Sequence, residues 1–543
     1  MRRLAPLFAL LLLVLPARAA DGPYMVAAAH PMAAEAGRAV LAEGGSAADA
    51  AIAVQTMLTL VEPQSSGLGG GAFLLYWDAS AGTLLTYDAR ETAPAAATPA
   101  YFLDDAGERM AWLDAVPGGL SVGVPGVPRL LDTIHADHGR LPWARLLAPT
   151  IEAADAGFTV TPRLSEMSGI FAARDWPVWG VMDAYLNASA GGLEAGTVLR
   201  NPEFARTLRL MADRGMAPVY EGSIAGDILA ATRGAEMNPG ILTAADLRGY
   251  EVRRRMPVCF PYRGYEICGM GPPTSGGLTM GQILGQLAQF DLPEMGPTAE
   301  AWHLYIEAQK RAFADRGAFM ADADFVDIPD LLDRAYLAER AGTIDVEAAG
   351  GPAEPGEPPM QETRFAPQLQ DFERGTTHFT IVDGYGDMVS MTSSVETAFG
   401  SRLMVGGMVL NNQLTDFSFT PERDGVPVAN RVEGGKRPRS SMSPTVVFRD
   451  GEPVLLIGSP GGSRIIGYTT QAIIAVLDFG MTLEEAFAYG HIVNRNGDTT
   501  DLEEGTQAAE LAEALAAMGH EINLRAMTSG LHAIRIAADG TLA

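Results

Sequence analysis

The residues with the clearest chemical potential are a threonine pair in the last third of the chain, in Gly375-Thr376-Thr377-His378. A threonine that becomes the first residue of a chain can act as a nucleophile without a histidine partner, because its own α-amino group serves as the base. The sequence therefore predicts cleavage between Gly375 and Thr376, with Thr376 as the catalytic residue.

A second motif, Gly458-Ser459-Pro460-Gly461-Gly462-Ser463, follows a predicted strand and precedes a predicted helix. The backbone N–H groups of Gly461 and Gly462 can converge on an oxyanion in a way that side chains could not. Taken alone, the segment is equally compatible with a structural turn. It is a poor nucleotide-binding loop, because it has no lysine at phosphate-loop spacing.

Several charged and hydroxyl residues offer contacts to an acyl donor that carries both a carboxylate and an ammonium group. Arg90 can contact a carboxylate through two bonds, and Ser440 and Ser441 can donate hydroxyls to the same group. Asp416 and Glu396 can hold an ammonium. Each residue alone is more often a surface charge or a turn residue, so the prediction rests on their joint occurrence.

The N-terminus predicts export. Arg2 and Arg3 precede an apolar run, and Ala17-Arg18-Ala19 supplies the small-x-small pattern of a signal-peptidase site. We expect residues 1–19 to be a signal peptide and the mature protein to be periplasmic or secreted. An uncleaved membrane anchor is the weaker interpretation, because about a dozen apolar residues fall short of the ~20 that a bilayer core needs.

Composition narrows the classes of partner. The chain has 39 basic and 66 acidic residues, a net charge of −27. Nucleic acid and anionic lipid both attract clustered Lys and Arg, so neither is an expected partner. The 47% hydrophobic content over 543 residues is enough to bury a sizeable core.

The two cysteines have a telling spacing. A turn at Arg263-Gly264 would place Cys259 opposite Cys268, where an oxidising compartment permits a disulfide. Two reduced, buried cysteines are an equal alternative, because Pro261 disturbs the strand ladder. Zinc-ligand spacing is absent from the sequence around both cysteines, so no metal is expected there.

The surrounding elements fall into two parts. Alanine-rich helices between residues 32 and 61 lead to a predicted strand over Ala72–Trp77, and Ala299–Phe319 has the pattern of a long amphipathic helix. Residues 348–375, of which 348–368 are rich in Pro, Gly and Glu, are predicted to form an exposed linker before the cleavage site.

Past the linker, short strands pair around tight turns. His378–Asp383 pairs with Asp387–Ser393, and Thr445–Phe448 pairs with Val454–Ile457. A helix is predicted over Gln507–Met518. Helices before and after a hairpin-rich middle indicate an α+β fold with sheets between helix layers.

Together these motifs resemble the γ-glutamyltranspeptidase family, and they occur in the family's order from about Pro23 to the C-terminus. The matching segments are Ser66-Gly67-Leu68-Gly69, Arg90-Glu91-Thr92-Ala93-Pro94, Thr376-Thr377-His378, Leu410-Asn411-Asn412-Gln413, Ser440-Ser441-Met442-Ser443-Pro444 and Gly461-Gly462-Ser463-Arg464.

The resemblance implies an N-terminal nucleophile hydrolase with a four-layer αββα sandwich. One precursor would yield a large subunit of residues 20–375 and a small subunit of residues 376–543, which remain together as a heterodimer. The family moves a γ-glutamyl group from glutathione-like donors to water, an amino acid or a peptide, and it needs neither a metal nor an organic cofactor.

The resemblance also assigns roles by motif position. It implies Thr376 as nucleophile and Gly461 with Gly462 as the oxyanion hole. The donor's α-carboxylate would contact Arg90, Ser440 and Ser441, its α-ammonium would contact Gln413 and Asp416, and the hydroxyl groups near the nucleophile would be Thr392 and Ser394.

Two departures from the family pattern bear on the substrate. Glu396 stands where better-known members have an asparagine that touches the donor's α-amino group. The segment 416–440 is shorter than in members with a lid and contains no tyrosine, which predicts a more open site.

An amidase acting on glutaryl amides or poly-γ-glutamate is therefore an alternative, and an uncleaved binding or scaffold protein is a further one.

Overall fold

The computed structural model of the chain describes residues 22–173, 178–359, 365–368, 375–527 and 529–543. The predicted signal peptide lies outside the described residues, as do residues 360–364 and 369–374 of the predicted linker. Gly375 and Thr376 belong to one uncleaved chain.

The strands are numbered here in chain order. They are β1 Met25–Ala28, β2 Gly71–Asp78, β3 Thr83–Ala89, β4 Phe158–Thr159, β5 Val198–Leu199, β6 Val258–Tyr262, β7 Tyr265–Gly269, β8 Thr377–Val382, β9 Met388–Ser394, β10 Met404–Val405, β11 Met408–Val409, β12 Glu422–Arg423, β13 Val426–Pro427, β14 Thr445–Arg449, β15 Glu452–Gly458, β16 Ile492–Val493, β17 Thr499–Glu503, β18 Glu521–Arg525 and β19 His532–Arg535.

The helices are numbered in the same way. They are α1 Pro31–Ala42, α2 Ala47–Val61, α3 Trp112–Ala115, α4 Val127–His138, α5 Trp143–Ala156, α6 Pro162–Ala173, α7 Gly180–Leu186, α8 Pro202–Arg214, α9 Ala217–Glu221, α10 Ser223–Arg233, α11 Ala244–Arg248, α12 Gly276–Leu287, α13 Leu292–Met295, α14 Ala299–Phe319, α15 Arg334–Gly342, α16 Ile465–Leu477, α17 Leu483–Ala488, α18 Gln507–Glu510 and α19 Ala512–Ala517.

Two five-stranded antiparallel sheets form the centre of the molecule. The first has the order β1-β8-β9-β2-β3 and the second the order β19-β15-β14-β7-β6. Both predicted hairpins are confirmed, since β8 pairs with β9 and β14 with β15. Each sheet combines strands from both sides of Gly375, so cleavage there would not separate the two parts of the chain.

Helices cover the outer face of each sheet. The apolar faces of α1, α2, α4 and α5 pack with the first sheet in one large core, and α12, α14 and α16 pack with the second sheet in another. A third apolar cluster, which includes Phe73, Leu75, Val446 and Leu456, fills the space between the sheets. The predicted four-layer αββα sandwich is thereby confirmed.

Local sequence sets the start of helix α2. The Ser46 side chain accepts from the backbone N–H of Asp49, whose carboxylate accepts in return from the N–H of Ser46. This reciprocal capping starts α2 where the sequence predicted a second helix.

Among the described residues, no helix combines the length and the apolar character needed to cross a membrane.

Helix α14 has the predicted bounds, but the amphipathic interpretation is wrong. The helix is buried almost all round, and its charged side chains are paired inside the protein. Glu307 contacts both Lys310 and Arg311 at 2.8 Å. Buried charges are tolerated when they are paired in this way. A hydropathy pattern cannot detect such pairs, and it therefore predicted that the charged face of α14 is exposed to solvent.

The cysteine hairpin resolves the alternative left open by the sequence. Cys259 pairs with Cys268 across β6 and β7, and the two form a disulfide. Strand β6 lies at the edge of its sheet, so the missing N–H of Pro261 leaves the ladder intact.

The remaining differences lie near the C-terminus and in the linker. The single helix predicted over Gln507–Met518 is two short helices, α18 and α19. Residues 348–359, the first part of the predicted linker, are largely exposed, yet they are tied to the body of the protein. The N–H of Ala349 donates to the Met518 carbonyl at 2.7 Å, and that of Gly356 donates to Asp315 at 2.8 Å.

Candidate active site

Thr376 directly precedes β8, and 7% of its surface is exposed. Its hydroxyl lies 3.5 Å from the hydroxyl of Ser394 on β9. Ser394 in turn donates to the carbonyl oxygen of Gly375 at 3.1 Å and accepts from the N–H of Glu396 at 2.8 Å. One side chain thus connects the predicted nucleophile with the carbonyl of the bond predicted to be cut.

Thr392 occupies the next cross-strand pair on the same face. Its hydroxyl lies 2.8 Å from Nδ1 of His378, its partner in the β8–β9 register. Complete burial lowers the pKa of His378 well below its usual value, so its imidazole is neutral. Thr392 therefore contacts a histidine two residues after Thr376, whereas Ser394 contacts Thr376 itself.

The glycine pair lies at the start of a helix, as the sequence predicted. Gly461 and Gly462 have φ angles of +130° and +62°, which a residue with a Cβ rarely adopts. They lead through a short turn into α16. The loop leaves β15 at Gly458, where a Cβ would fall 2.4 Å from the His378 ring. Gly458, three residues before the pair, therefore packs against His378 of β8, the strand that Thr376 precedes.

The residues predicted to hold the donor come together, but in an unexpected arrangement. Arg90 is fully buried and donates to the carbonyls of Pro438 and Arg439 at 3.1 and 3.0 Å. It also contacts the carboxylate of Asp416, which accepts from Gln413 at 2.8 Å. Arg90 and Asp416, assigned to opposite ends of the donor, are in direct contact. We call Arg90, Gln413, Asp416, Ser440 and Ser441 the donor clamp.

Glu91 lies beside Arg90 in the candidate site, although the sequence analysis named it only within a motif. Its side chain is completely buried, and Oε2 lies 3.8 Å from Nη1 of Arg90. Burial raises the pKa of Glu91 to about 8, although the Arg90 charge opposes that shift. At neutral pH Glu91 is therefore mostly protonated and adds no negative charge beside Arg90.

The two clamp serines are held by residues that precede Gly375 in the chain. Ser441 accepts from Nη2 of Arg316 at 2.7 Å, and Nε of Arg316 donates to Ser275 at 2.7 Å. Ser275 donates to the Ser440 carbonyl at 2.7 Å. Arg316 was missed by sequence reasoning, because the pattern of α14 gave no reason to place an arginine inside.

Glu396 is tied to the clamp through its neighbour. Its Oε2 accepts from Nδ2 of Asn412 at 2.7 Å, one residue before Gln413. Glu396 has a φ of +80°, a left-handed conformation that is unfavourable for a residue with a side chain. Such strain at a buried carboxylate next to Ser394 is typical of a functional position.

One group of side chains outside the site has metal-binding atoms. His303, Glu307 and His520 are buried, and their ligand atoms lie within 4.8 Å of one another. The Glu307 carboxylate, however, is already paired with Lys310 and Arg311. The positive charges of these two side chains would repel a metal ion. The group is better described as a buried polar network that supports α14.

Comparison with known proteins gives a consistent result. The profile of the family described as Gamma-glutamyltranspeptidase matches residues 33–543. The glutathione hydrolase proenzyme of Bacillus subtilis (strain 168) is 34% identical over 508 residues, covering 92% of this chain and 85% of that protein. The glutathione hydrolase proenzyme of Escherichia coli (strain K12) is 34% identical over 542 residues, covering 97% and 90%. The crystal structure of cephalosporin acylase from Bacillus halodurans superposes with a TM-score of 0.84 at 27% identity, covering 99% of this chain and 96% of the acylase.

Proposed function

The chain belongs to the gamma-glutamyltranspeptidase family, and from that premise we propose that it is an exported, self-processing γ-glutamyl hydrolase and transpeptidase with Thr376 as its nucleophile. The processed enzyme would consist of residues 20–375 and 376–543. The observation that carries the proposal is the Ser394 hydroxyl, which lies between Thr376 and the Gly375 carbonyl.

Self-processing starts from the uncleaved geometry. The Thr376 hydroxyl attacks the Gly375 carbonyl carbon, which forms an ester, breaks the peptide C–N bond and leaves the nitrogen of Thr376 as an amine. Water then hydrolyses the ester. Ser394 supports the first step, because its hydrogen bond to the carbonyl oxygen becomes stronger as negative charge develops there.

Catalysis reuses the same hydroxyl. Thr376 attacks the γ-carbonyl of the donor, and its new α-amine takes the proton. The N–H groups of Gly461 and Gly462 stabilise the oxyanion, the donor amine departs with a proton, and an acyl-threonine ester remains. Water or an acceptor amine then releases the γ-glutamyl group.

Donor recognition follows from the charges of the clamp. A γ-glutamyl group carries an α-carboxylate and an α-ammonium, and the clamp presents Arg90 and Asp416 side by side. We propose that the carboxylate binds Arg90, Ser440 and Ser441, while the ammonium binds Asp416, Gln413 and Glu396. Charged hydrogen bonds of this kind contribute roughly 1.5–3 kcal/mol each, against ~1 for neutral ones.

An acylase acting on a donor without an α-amino group is the second candidate. The full-length superposition on a cephalosporin acylase favours it, because that protein, an acylase by name, has the same fold over nearly the whole of this chain. Two acidic residues, Asp416 and Glu396, favour the first candidate, since a donor with an ammonium group would find two carboxylates there, whereas a donor without one would use neither.

The deciding experiment compares the purified protein with a Thr376→Ala variant by intact mass, and then assays both on γ-glutamyl and glutaryl anilides. We expect two chains, the smaller beginning at Thr376, and turnover only of the γ-glutamyl substrate. A single uncut chain without activity under all conditions would refute self-processing. Preference for the glutaryl substrate would establish the acylase instead.

A further inference from the structure

Arg90 is held by its backbone as well as by its side chain. Its N–H donates to the carboxylate of Asp88 at 2.9 Å. Its carbonyl oxygen accepts from the hydroxyl of Tyr250 at 2.8 Å and from Nη1 of Arg437 at 3.1 Å. Three side chains, none of them in the donor clamp, therefore fix the main chain from which the Arg90 guanidinium projects.

The side chain of Arg437 is buried among acceptors that fix its direction. Nη1 lies 2.8 Å from Oδ1 of Asp88, and the two side chains are 4% and 0% exposed. Nη2 donates to the carbonyl of Glu251 at 2.7 Å. The backbone N–H of Arg437 donates to Asp322 at 2.9 Å. Because both terminal nitrogens of the planar guanidinium are engaged, its orientation is fixed.

The segments around these two arginines hold each other reciprocally. Arg437 donates to the Arg90 carbonyl, and the Arg90 guanidinium donates in return to the carbonyls of Pro438 and Arg439. Pro438 and Arg439 directly precede Ser440 of the donor clamp. The segment that carries the clamp arginine and the segment that carries the clamp serines are therefore fixed to one another.

We propose that Arg437 and Asp88 are positioning residues for donor recognition, and that they act through Arg90 by aiming its guanidinium at the donor's α-carboxylate. The inference deepens the proposed function and rests on it. A contact through two parallel hydrogen bonds requires the guanidinium and the carboxylate to be aligned, so a small displacement of Arg90 weakens donor binding. Neither Arg437 nor Asp88 touches the donor in this assignment.

Two substitutions change the hold on the Arg90 carbonyl with little change in packing. A lysine at position 437 retains a positive charge opposite Asp88, but its single nitrogen lacks the planar fork that reaches acceptors on different residues. Arg437→Lys should therefore preserve the buried ion pair while loosening the main chain of Arg90. Tyr250→Phe removes the hydroxyl that donates to the Arg90 carbonyl and keeps the buried ring.

The test compares KM for a γ-glutamyl anilide with KM for a 4-aminobutyryl anilide, which lacks the α-carboxylate. We expect Arg437→Lys to raise the γ-glutamyl KM about tenfold and Tyr250→Phe to raise it about threefold. The kcat values and the 4-aminobutyryl KM should change less than about twofold.

Arg263→Lys is the matched control. Arg263 also pairs with a buried aspartate, Asp478, at 2.9 Å, and it donates to the carbonyl of Phe290 at 2.6 Å. It lies in the turn between β6 and β7 and is not part of the contacts around Arg90. Its kinetics on both substrates should match those of the unsubstituted protein.

A γ-glutamyl KM that is unchanged in both variants, or a KM that rises equally for both substrates, would overturn the proposal. The reason is that a purely structural role does not distinguish substrates by their α-carboxylate. If Arg437→Lys does not fold, Tyr250→Phe alone decides the question. An unsubstituted protein that neither cleaves itself nor hydrolyses the γ-glutamyl anilide would instead refute the proposed function.

Discussion

Within the donor clamp, Arg90 and Asp416 are in direct contact, and their side chains are only 1% and 2% exposed. They are 326 residues apart in sequence. A zwitterionic donor would replace one internal ion pair with two external ones of the same charges. The clamp is thus charge-balanced before the donor arrives, and this explains how an arginine can be completely buried there.

Arg90→Ala should abolish most of the activity on a γ-glutamyl anilide, with at least a 100-fold loss in kcat/KM. It should also lower the free energy of unfolding by roughly 3–5 kcal/mol, because Asp416 is left as an uncompensated buried charge. Self-cleavage should persist, since the Ser394–Gly375 hydrogen bond does not involve Arg90. Kinetics, urea unfolding and mass spectrometry check the three parts, and unchanged kinetics would remove Arg90 from the donor site.

Ser394→Ala should slow self-cleavage at least tenfold, because the Gly375 carbonyl loses its hydrogen-bond donor. The appearance of the small subunit over time measures this rate. Ser393→Ala is the matched control, since Ser393 precedes Ser394 on β9 and its side chain points to the other face of the sheet. Equal rates in both variants would contradict the role of Ser394.

The donor KM should rise above about pH 8 and remain lower in Glu91→Gln. The physical reason is that Glu91, whose pKa burial raises to about 8, becomes an anion beside Arg90 and competes with the donor's carboxylate. Steady-state kinetics between pH 6 and 10 provide the measurement. A KM profile that is the same in both proteins would exclude Glu91 as the titrating group.

The same shift predicts the sign of a stability change. Because the pKa of Glu91 is higher in the folded protein than its ordinary value of 4.5, the folded state retains a proton that the unfolded chain loses. Stability should therefore fall as pH rises from about 4.5 to about 8, and the slope should be smaller in Glu91→Gln. Urea unfolding at pH 5 and pH 8 compares the two proteins.

Arg316→Ala should weaken recognition of the donor's α-carboxylate, although Arg316 itself acts through Ser441. We expect KM for a γ-glutamyl anilide to rise about tenfold, with a much smaller change for a 4-aminobutyryl anilide, which lacks that carboxylate. Arg311→Ala is a control on the same helix, because Arg311 pairs with Glu307. A loss that is equal for both substrates would indicate a purely structural role.

Chelation by EDTA should leave both self-cleavage and turnover unchanged. The proposed chemistry depends on the Thr376 hydroxyl, its amine and the backbone N–H groups of Gly461 and Gly462, and a metal has no part in it. Activity before and after dialysis against EDTA tests this. A clear loss that zinc restores would count against the mechanism and would return attention to the His303, Glu307 and His520 group.

Local sequence was sufficient for many elements. The Ser46 cap, the alternating pattern around the turn between β8 and β9, and the Arg263-Gly264 turn all act over a few residues, and each produced the predicted element. The four-layer arrangement followed from the order of helices and hairpins together with the family resemblance. These features depend on hydrophobic periodicity and on turn-forming residues, and both can be recognised from a few neighbouring residues.

The sequence by itself determined the threonine before a strand, the glycine pair before a helix and the residue types of the donor clamp. Only the tertiary structure decided that Arg90 contacts Asp416, that Arg316 donates to Ser441 and that α14 is buried with its charges. The physical reason is that a buried charge is tolerated only beside a specific partner. The partners of Arg90 and Arg316 lie 326 and 125 residues away in sequence, so these contacts exist only once the layers have packed.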